Sequence, residues 1–265
     1  MQADDIIYRC LSRMRHLMTA RNTLGYGVHS PHLYYIIRFL IYDDNRYYCF
    51  APIENERQRL LRAKKEIGIE DFGTGISGKR RIKDIARKAL MPAKEAQMLF
   101  RIVNYMKPLT VIELGTSLGI TTAYLSKAAG RESKVVTFEG SKTLTDEAKK
   151  VWKNTGAEGI ETVGGNIDKT LGIRMKSIDT MDFALIDANH TYEATVRYFR
   201  QLASKCGKKS IIAVDDIHNS REMSRAWEAI KTEEAVTATL DMYDTGLVFF
   251  DKCLMKKNYV LRVDN

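Results

Sequence analysis

Apolar positions along this chain recur first with a helical period and later in short unbroken runs, and the change of rhythm falls near residue 93. Over residues 3–20, Ile6, Ile7, Cys10, Leu11, Met14 and Leu17 recur at near-helical spacing and predict an amphipathic helix. The turn-rich stretch Asn22–Gly27 breaks it. Ser30 then stands before Pro31, the order expected of an N-cap and a first helical position, and that helix should run to about Ile41. A further helix is expected from Glu54 to about Lys65. Residues 68–78 carry Gly68, Gly73, Gly75 and Gly78 and predict a mobile loop. Lys79–Leu90 reads as a basic helix that Pro92 interrupts.

From Ala93 onward, Met98, Leu99, Ile102, Val103 and Met106 form one face of a helix that Pro108 ends. Strands are then expected near 110–114, 134–139, 159–163, 182–187 and 210–215. Helices should lie near 119–129, 143–154, 167–175, 192–205 and 220–230. Short apolar strands without strict alternation, each followed by a helix, predict a parallel sheet covered on both faces. The runs at 236–240 and 247–250, joined through Asp244-Thr245-Gly246, predict a hairpin, and Tyr259–Val263 a further strand. The expected fold class is α/β. It is a Rossmann-like doubly wound sheet, mostly parallel, with a C-terminal antiparallel hairpin. A basic helical extension or lid over 1–92 precedes a ligand-binding domain over 93–265.

Composition narrows this picture. At 265 residues and 45% hydrophobic, the chain can bury a substantial core. Four scattered cysteines, Cys10, Cys49, Cys206 and Cys253, fit a reducing compartment and no metal knuckle. No apolar run approaches the ~20 residues of a membrane span. Asp4 and Asp5 lie where a secretion signal would be basic, so the expected address is the cytoplasm. The net charge of +9 is concentrated in residues 1–90, with 17 Lys and Arg against 10 Asp and Glu. Lys79-Arg80-Arg81, Lys83, Arg87 and Lys88 are densest. They suit an acidic substrate, a nucleic acid, an anionic surface, or simply a solvated helix face.

The candidate chemistry begins at Glu113-Leu114-Gly115-Thr116-Ser117-Leu118-Gly119. An apolar strand ends in an acid, a glycine turn follows, and a helix opens. Gly115 lets bare backbone approach a ligand, and the new helix offers unpaired N–H groups to a carboxylate. Glu139 closes the next strand, where nucleoside-binding α/β folds place a carboxylate on the ribose. A dinucleotide turn would carry glycine where Ser117 stands, and Glu113 would repel a pyrophosphate but suit an ammonium group. An adenosine joined to an amino acid fits both acids. These residues resemble the class I S-adenosylmethionine-dependent methyltransferases.

That resemblance implies a cofactor site of Glu113, Gly115, Thr116, Ser117 and Gly119 at the methionine end, and Glu139 and Gly140 at the ribose. Asn166 and Ile167 would lie at the adenine, with Asn166 as a plain helix cap the alternative. Asp187 would touch the cofactor's amino group. The ends of the fourth and fifth strands, Asp187-Ala188-Asn189-His190 and Asp215-Asp216-Ile217-His218, are similar to the metal-dependent O-methyltransferases of the catechol and caffeoyl-CoA type. The similarity implies Mg²⁺ or Ca²⁺ on Asp187, Asp215 and Asp216, with Asp216 replacing the family's asparagine. His190 stands where that family has a catalytic lysine, and a histidine can accept a proton near neutral pH. His218 is a second candidate base or ligand. The stretch Asp215–Ser220 with Met223, Ala226 and Trp227, and the entry Gly25–Pro31, also resemble a group of bacterial methyltransferases of unassigned substrate. There the N-terminal helices lid the pocket, which makes His29, Tyr34 and residues 68–78 candidates for substrate contact.

The expected activity is therefore O-methyl transfer to a small-molecule hydroxyl, in a chain that can pair as a homodimer through its apolar first helix. A nucleic-acid methyltransferase using the basic region is an alternative. The Pro-Pro-aromatic turn of amino-directed enzymes is missing after Asp187. A non-catalytic cofactor-binding protein and a dehydrogenase are further alternatives.

Overall fold

Helix α1 (Ala3–Thr19) forms where the periodicity predicts, yet it turns the expected face outward. Ile7, Leu11, Met14, Leu17 and Met18 are exposed, and the side chain it buries is His16. Polar groups fasten it: the Tyr8 hydroxyl donates to Ser224 Oγ at 2.6 Å, Arg9 Nε donates to the Asn219 carbonyl at 3.0 Å, and His16 Nε2 meets the Leu261 carbonyl at 3.0 Å. Helix α2 (Pro31–Ile36) starts as expected, with Ser30 Oγ accepting from the Leu33 N–H, and runs on into a π-helical turn at Ile37–Ile41. The computed structural model describes residues 3–69 and 78–263, with side chains from Ile7 onward. Within these, the chain forms two units, one from both ends (Met1–Asp43 and Ile178–Asp264) and one from the middle (Asp44–Ser177).

The middle unit opens with α3 (Phe50–Arg62), four residues ahead of the expected Glu54, with Pro52 in the first turn, where no intrahelical N–H is required. Strand β1 (Glu66–Ile69) pairs antiparallel with β2 (Gly78–Arg81). Gly68 and Gly78 are thus strand residues, not loop, while the rest of the predicted glycine-rich loop, 70–77, lies outside the described residues. The basic helix shrinks to α4 (Ile82–Ala89), because Lys79–Arg81 are taken up in β2. Helix α5 (Ala93–Met106) follows Pro92 and ends at Lys107 in the left-handed conformation. Then come β3 (Thr110–Leu114), α6 (Ile120–Ala129), β4 (Lys134–Glu139), α7 (Lys142–Thr155), β5 (Ile160–Gly164) and α8 (Ile167–Met175). β3, β4 and β5 are parallel neighbours, with Glu113 opposite Thr137 and Glu139 opposite Gly164. Phe50 stacks edge-on to both Phe100 and Tyr124 at centroid distances of 4.9 and 5.4 Å, which ties α3, α5 and α6 together.

The unit made from both chain ends carries β6 (Met181–Ile186), α9 (Tyr192–Ala203), β7 (Cys206–Val214) and α10 (Arg221–Thr232). It closes with β8 (Ala238–Asp241), β9 (Gly246–Phe249) and β10 (Lys257–Val260). Its strands lie in the order β10-β8-β9-β7-β6. β6 is parallel to β7, β9 is antiparallel to both β7 and β8, and β10 is parallel to β8. The predicted hairpin and extra strand are both present. Fully buried Trp227 packs on the backbone of Gly246, where a Cβ would come within 2.6 Å of its ring.

Candidate functional site

In the middle unit the turn after β3 is wound tightly. Gly115, Ser117 and Gly119 take φ of 102°, 49° and 77°. The N–H groups of Gly115 and Thr116 both donate to the Phe138 carbonyl at 3.1 Å, and the Thr116 and Thr137 hydroxyls meet at 2.5 Å. Gly119 is required for packing. A Cβ there would lie 2.6 Å from Ala148 Cβ, and its carbonyl accepts from the Trp152 indole at 2.9 Å.

Glu139 at the end of β4 is half-buried, and both carboxylate oxygens are oriented by backbone. One accepts from the Ser117 N–H and the other from the Ser141 N–H, each at 2.9 Å. Gly140, half-buried, follows directly. The carboxylate thus faces the same turn that Gly115 and Ser117 form, as the sequence reading requires.

Glu113 behaves differently. Its side chain is 0% exposed, and Oε2 accepts from the Thr122 and Thr137 hydroxyls at 2.6 Å each. Burial pushes its pKa up to about 7 against the pull of those two hydroxyls. The expectation of direct contact with an ammonium group is corrected: a side chain with no surface has none to offer a ligand in this conformation. What Glu113 does is pin the first turn of α6 to β4 and so fix the loop between. Thr122 and Thr137, its partners, carry no spacing signal of their own.

Asn166 is the N-cap of α8, its Oδ1 accepting from the Asp168 N–H at 2.8 Å, and Ile167 behind it is 9% exposed. Of the two readings of Asn166, the cap is the one this geometry fills. Ser117 Oγ, buried at the turn, has no hydrogen-bond partner. With the oriented Glu139 carboxylate beside it, the turn fits a hydroxyl-bearing nucleoside.

In the other unit, β6 and β7 end in the predicted acids. His190 stands between two of them: Nε2 is 3.5 Å from Asp187 Oδ1, and Nδ1 is 3.7 Å from Asp216 Oδ2. Asp215 is buried and accepts from the Thr245 hydroxyl at 3.3 Å. Burial, then the charges of Asp187 and Asp216, push its pKa well above the carboxylate range. Backbone strain gathers here. Of the seven non-glycine residues with positive φ among those described, Asn189, His190 and Asp216 stand at the carboxyl ends of β6 and β7. Left-handed backbone at bulky residues costs energy and persists where surrounding contacts enforce it. Asn189 is held by the Tyr198 hydroxyl at 2.5 Å, and Asp216 by the Asn219 side chain at 3.1 Å.

One expectation changes. His218 is not a second base beside these acids, since its Nε2 meets Asp241 Oδ2 at 2.8 Å and its Nδ1 meets Ser224 Oγ at 3.2 Å. Asp187 and Asp216 are near enough to act on Asp215 by charge, so the three expected metal ligands are neighbours. Among the described residues, the group whose ligand atoms lie within 4.8 Å of one another is His16, His218 and Asp241. His16 and Asp241 are far apart in the chain, and no spacing rule joins them.

Residues 112–217 match a family described as a methyltransferase domain. No curated protein sequence matches the chain. Among solved structures, cofactor-bound Rv0187 from MTB is 16% identical, with 75% of this chain and 89% of that one covered and a TM-score of 0.58. An O-methyltransferase from Bacillus cereus in complex with S-adenosylhomocysteine is 15% identical, with 78% and 92% covered and a TM-score of 0.57. The O-methyltransferase TomG of Streptomyces achromogenes, involved in tomaymycin synthesis and bound to S-adenosylmethionine, is 17% identical, with 62% and 82% covered and a TM-score of 0.53. At such identities the likeness carries the fold, which is the Rossmann-like, mostly parallel one expected. Residues 112–217 thus match a methyltransferase domain, and the chain shares the fold of these solved structures.

Proposed function

We propose, from the premise of a methyltransferase domain, that this chain transfers a methyl group from S-adenosylmethionine to a hydroxyl of a small molecule. The observation that carries the reading is His190, held on strained backbone between Asp187 and Asp216 at a strand end.

When bound, S-adenosylmethionine supplies an electrophilic methyl on its sulfonium. This chain's residues do the rest. Glu139, already oriented by two N–H groups, accepts from the ribose hydroxyls. The Gly115–Gly119 turn presents backbone to the methionine end. Glu113, through Thr122 and Thr137, positions that turn. His190 takes the acceptor's proton, and the carboxylates of Asp187 and Asp216 stabilise the imidazolium that forms. Asp187, Asp215 and Asp216 are the residues that would hold a divalent cation, which would lower the acceptor hydroxyl's pKa; EDTA should then cut turnover and added Mg²⁺ restore it, and activity indifferent to both would leave the histidine alone.

The test pairs binding with turnover. His190→Ala should bind S-adenosylhomocysteine as the parent does, measured by calorimetry. Methyl transfer into a small-molecule extract should fall by the ~10²–10⁴-fold typical of a lost base. Unchanged transfer would remove His190 from the mechanism. Glu139→Gln should do the reverse and weaken cofactor binding first.

The nucleic-acid reading has one observation in its favour. Lys79, Arg80, Arg81, Arg87 and Lys88 line one shallow depression with Glu66 and Asp84.

A further inference from the structure

We propose that His16, His218 and Asp241 bind one divalent transition-metal ion of the zinc type, at a site separate from the strand-end acids. His16 comes from α1, Asp241 ends β8, and His218 lies in the loop before α10. Asp241 Oδ1 is 3.2 Å from His16 Nδ1, and Oδ2 is 2.8 Å from His218 Nε2. One nitrogen of each ring therefore faces the same carboxylate. The other nitrogen of each ring is already engaged: His16 Nε2 with the Leu261 carbonyl and His218 Nδ1 with Ser224 Oγ. Metal-binding histidines are held in this way, with the outer N–H on a carbonyl or hydroxyl and the inner nitrogen left to the ion. The carboxylate is also supported from behind, by the Trp227 indole at 2.9 Å and the Tyr243 N–H at 3.0 Å.

Two imidazoles and one carboxylate suit zinc and its neighbours better than Mg²⁺ or Ca²⁺, which prefer oxygen alone. Three protein ligands leave a fourth position, and here it has room. All three residues line a cavity of about 900 Å³, whose other charged residues are Arg15, Arg221, Arg225, Lys231 and Glu228. A +2 ion on one aspartate leaves positive charge beside three guanidiniums, so the fourth ligand would be water or an anion. The rival arrangement is a plain hydrogen-bonded chain with no ion. That chain would hold Asp241 between the two rings by hydrogen bonds alone and take up no Zn²⁺.

The experiment uses the full chain, stripped with a chelator and titrated with Zn²⁺ alone. One ion per chain should bind saturably and raise the unfolding temperature. Asp241→Asn and His218→Gln should each weaken Zn²⁺ binding on the order of 100-fold or more, since lost second-shell partners alone cost 10–100-fold. No saturable uptake, or uptake unchanged in both variants, would overturn the proposal. Should a variant fail to fold, histidine ring ¹⁵N shifts of the unsubstituted protein decide. Zn²⁺ must move the rings of His16 and His218, and movement confined to His190 would place the ion elsewhere and defeat the idea.

Discussion

Burial decides what Glu113 does. Its carboxyl, pushed up to about 7 by desolvation, stays protonated in the folded chain where an unfolded glutamate has already ionised. The folded state then binds more protons between pH ~4.5 and ~7, so this residue's contribution to stability falls as pH rises through that window. Glu113→Gln, which cannot ionise, should lose the slope. Thermal unfolding should find the variant less destabilised, or more stable, relative to the parent at pH 8 than at pH 5. An equal effect at both would mean that Glu113 titrates normally. At this scale the sequence was legible where chemistry sits at the end of a strand. Glu139, Asp187, Asp215 and Asp216 all stand where an apolar run stops. It was silent wherever partners are distant, as with His16 and Asp241. It also named Glu113 without revealing that two threonines enclose it.

Among elements, Gly119 and α1 make opposite cases. Alanine at Gly119 would hold a left-handed φ of 77° and drive its Cβ to 2.6 Å from Ala148. Overpacking and left-handed strain together predict a loss of about 2–4 kcal/mol, read as a lowered denaturation midpoint. Leu11→Lys on α1 should change stability by less than about 0.5 kcal/mol, because Leu11 is 61% exposed. The sequence pattern predicts the reverse ranking for α1, since periodicity reports that a helix has an apolar side but not that this side is covered. For the strands from β3 onward the reading held, because buried parallel strands are written as short apolar runs between turns. The β1–β2 pair escaped it. Four residues of alternation in Glu66–Ile69 are too few to stand out, and Gly78–Arg81 has no buried side at all.

For the molecule as a whole, charge and connectivity carry consequences of their own. The net +9 is gathered in part around Lys79–Lys88, so the chain should be retained on a polyanion such as heparin. Arg80→Glu with Arg81→Glu should elute at lower salt, and unchanged elution would place the polyanion contact elsewhere. Connectivity acts in time. His16 is 245 positions from Leu261 along the chain, whereas residues 44–177 hold all of their own unit. At ribosomal speeds of 5–20 residues per second, roughly 10–40 s pass between the synthesis of residue 43 and that of Leu261. The middle of the protein can finish folding on the ribosome within that interval. Helix α1 must wait for the segment around Leu261, 245 positions on, before the buried His16 finds its carbonyl.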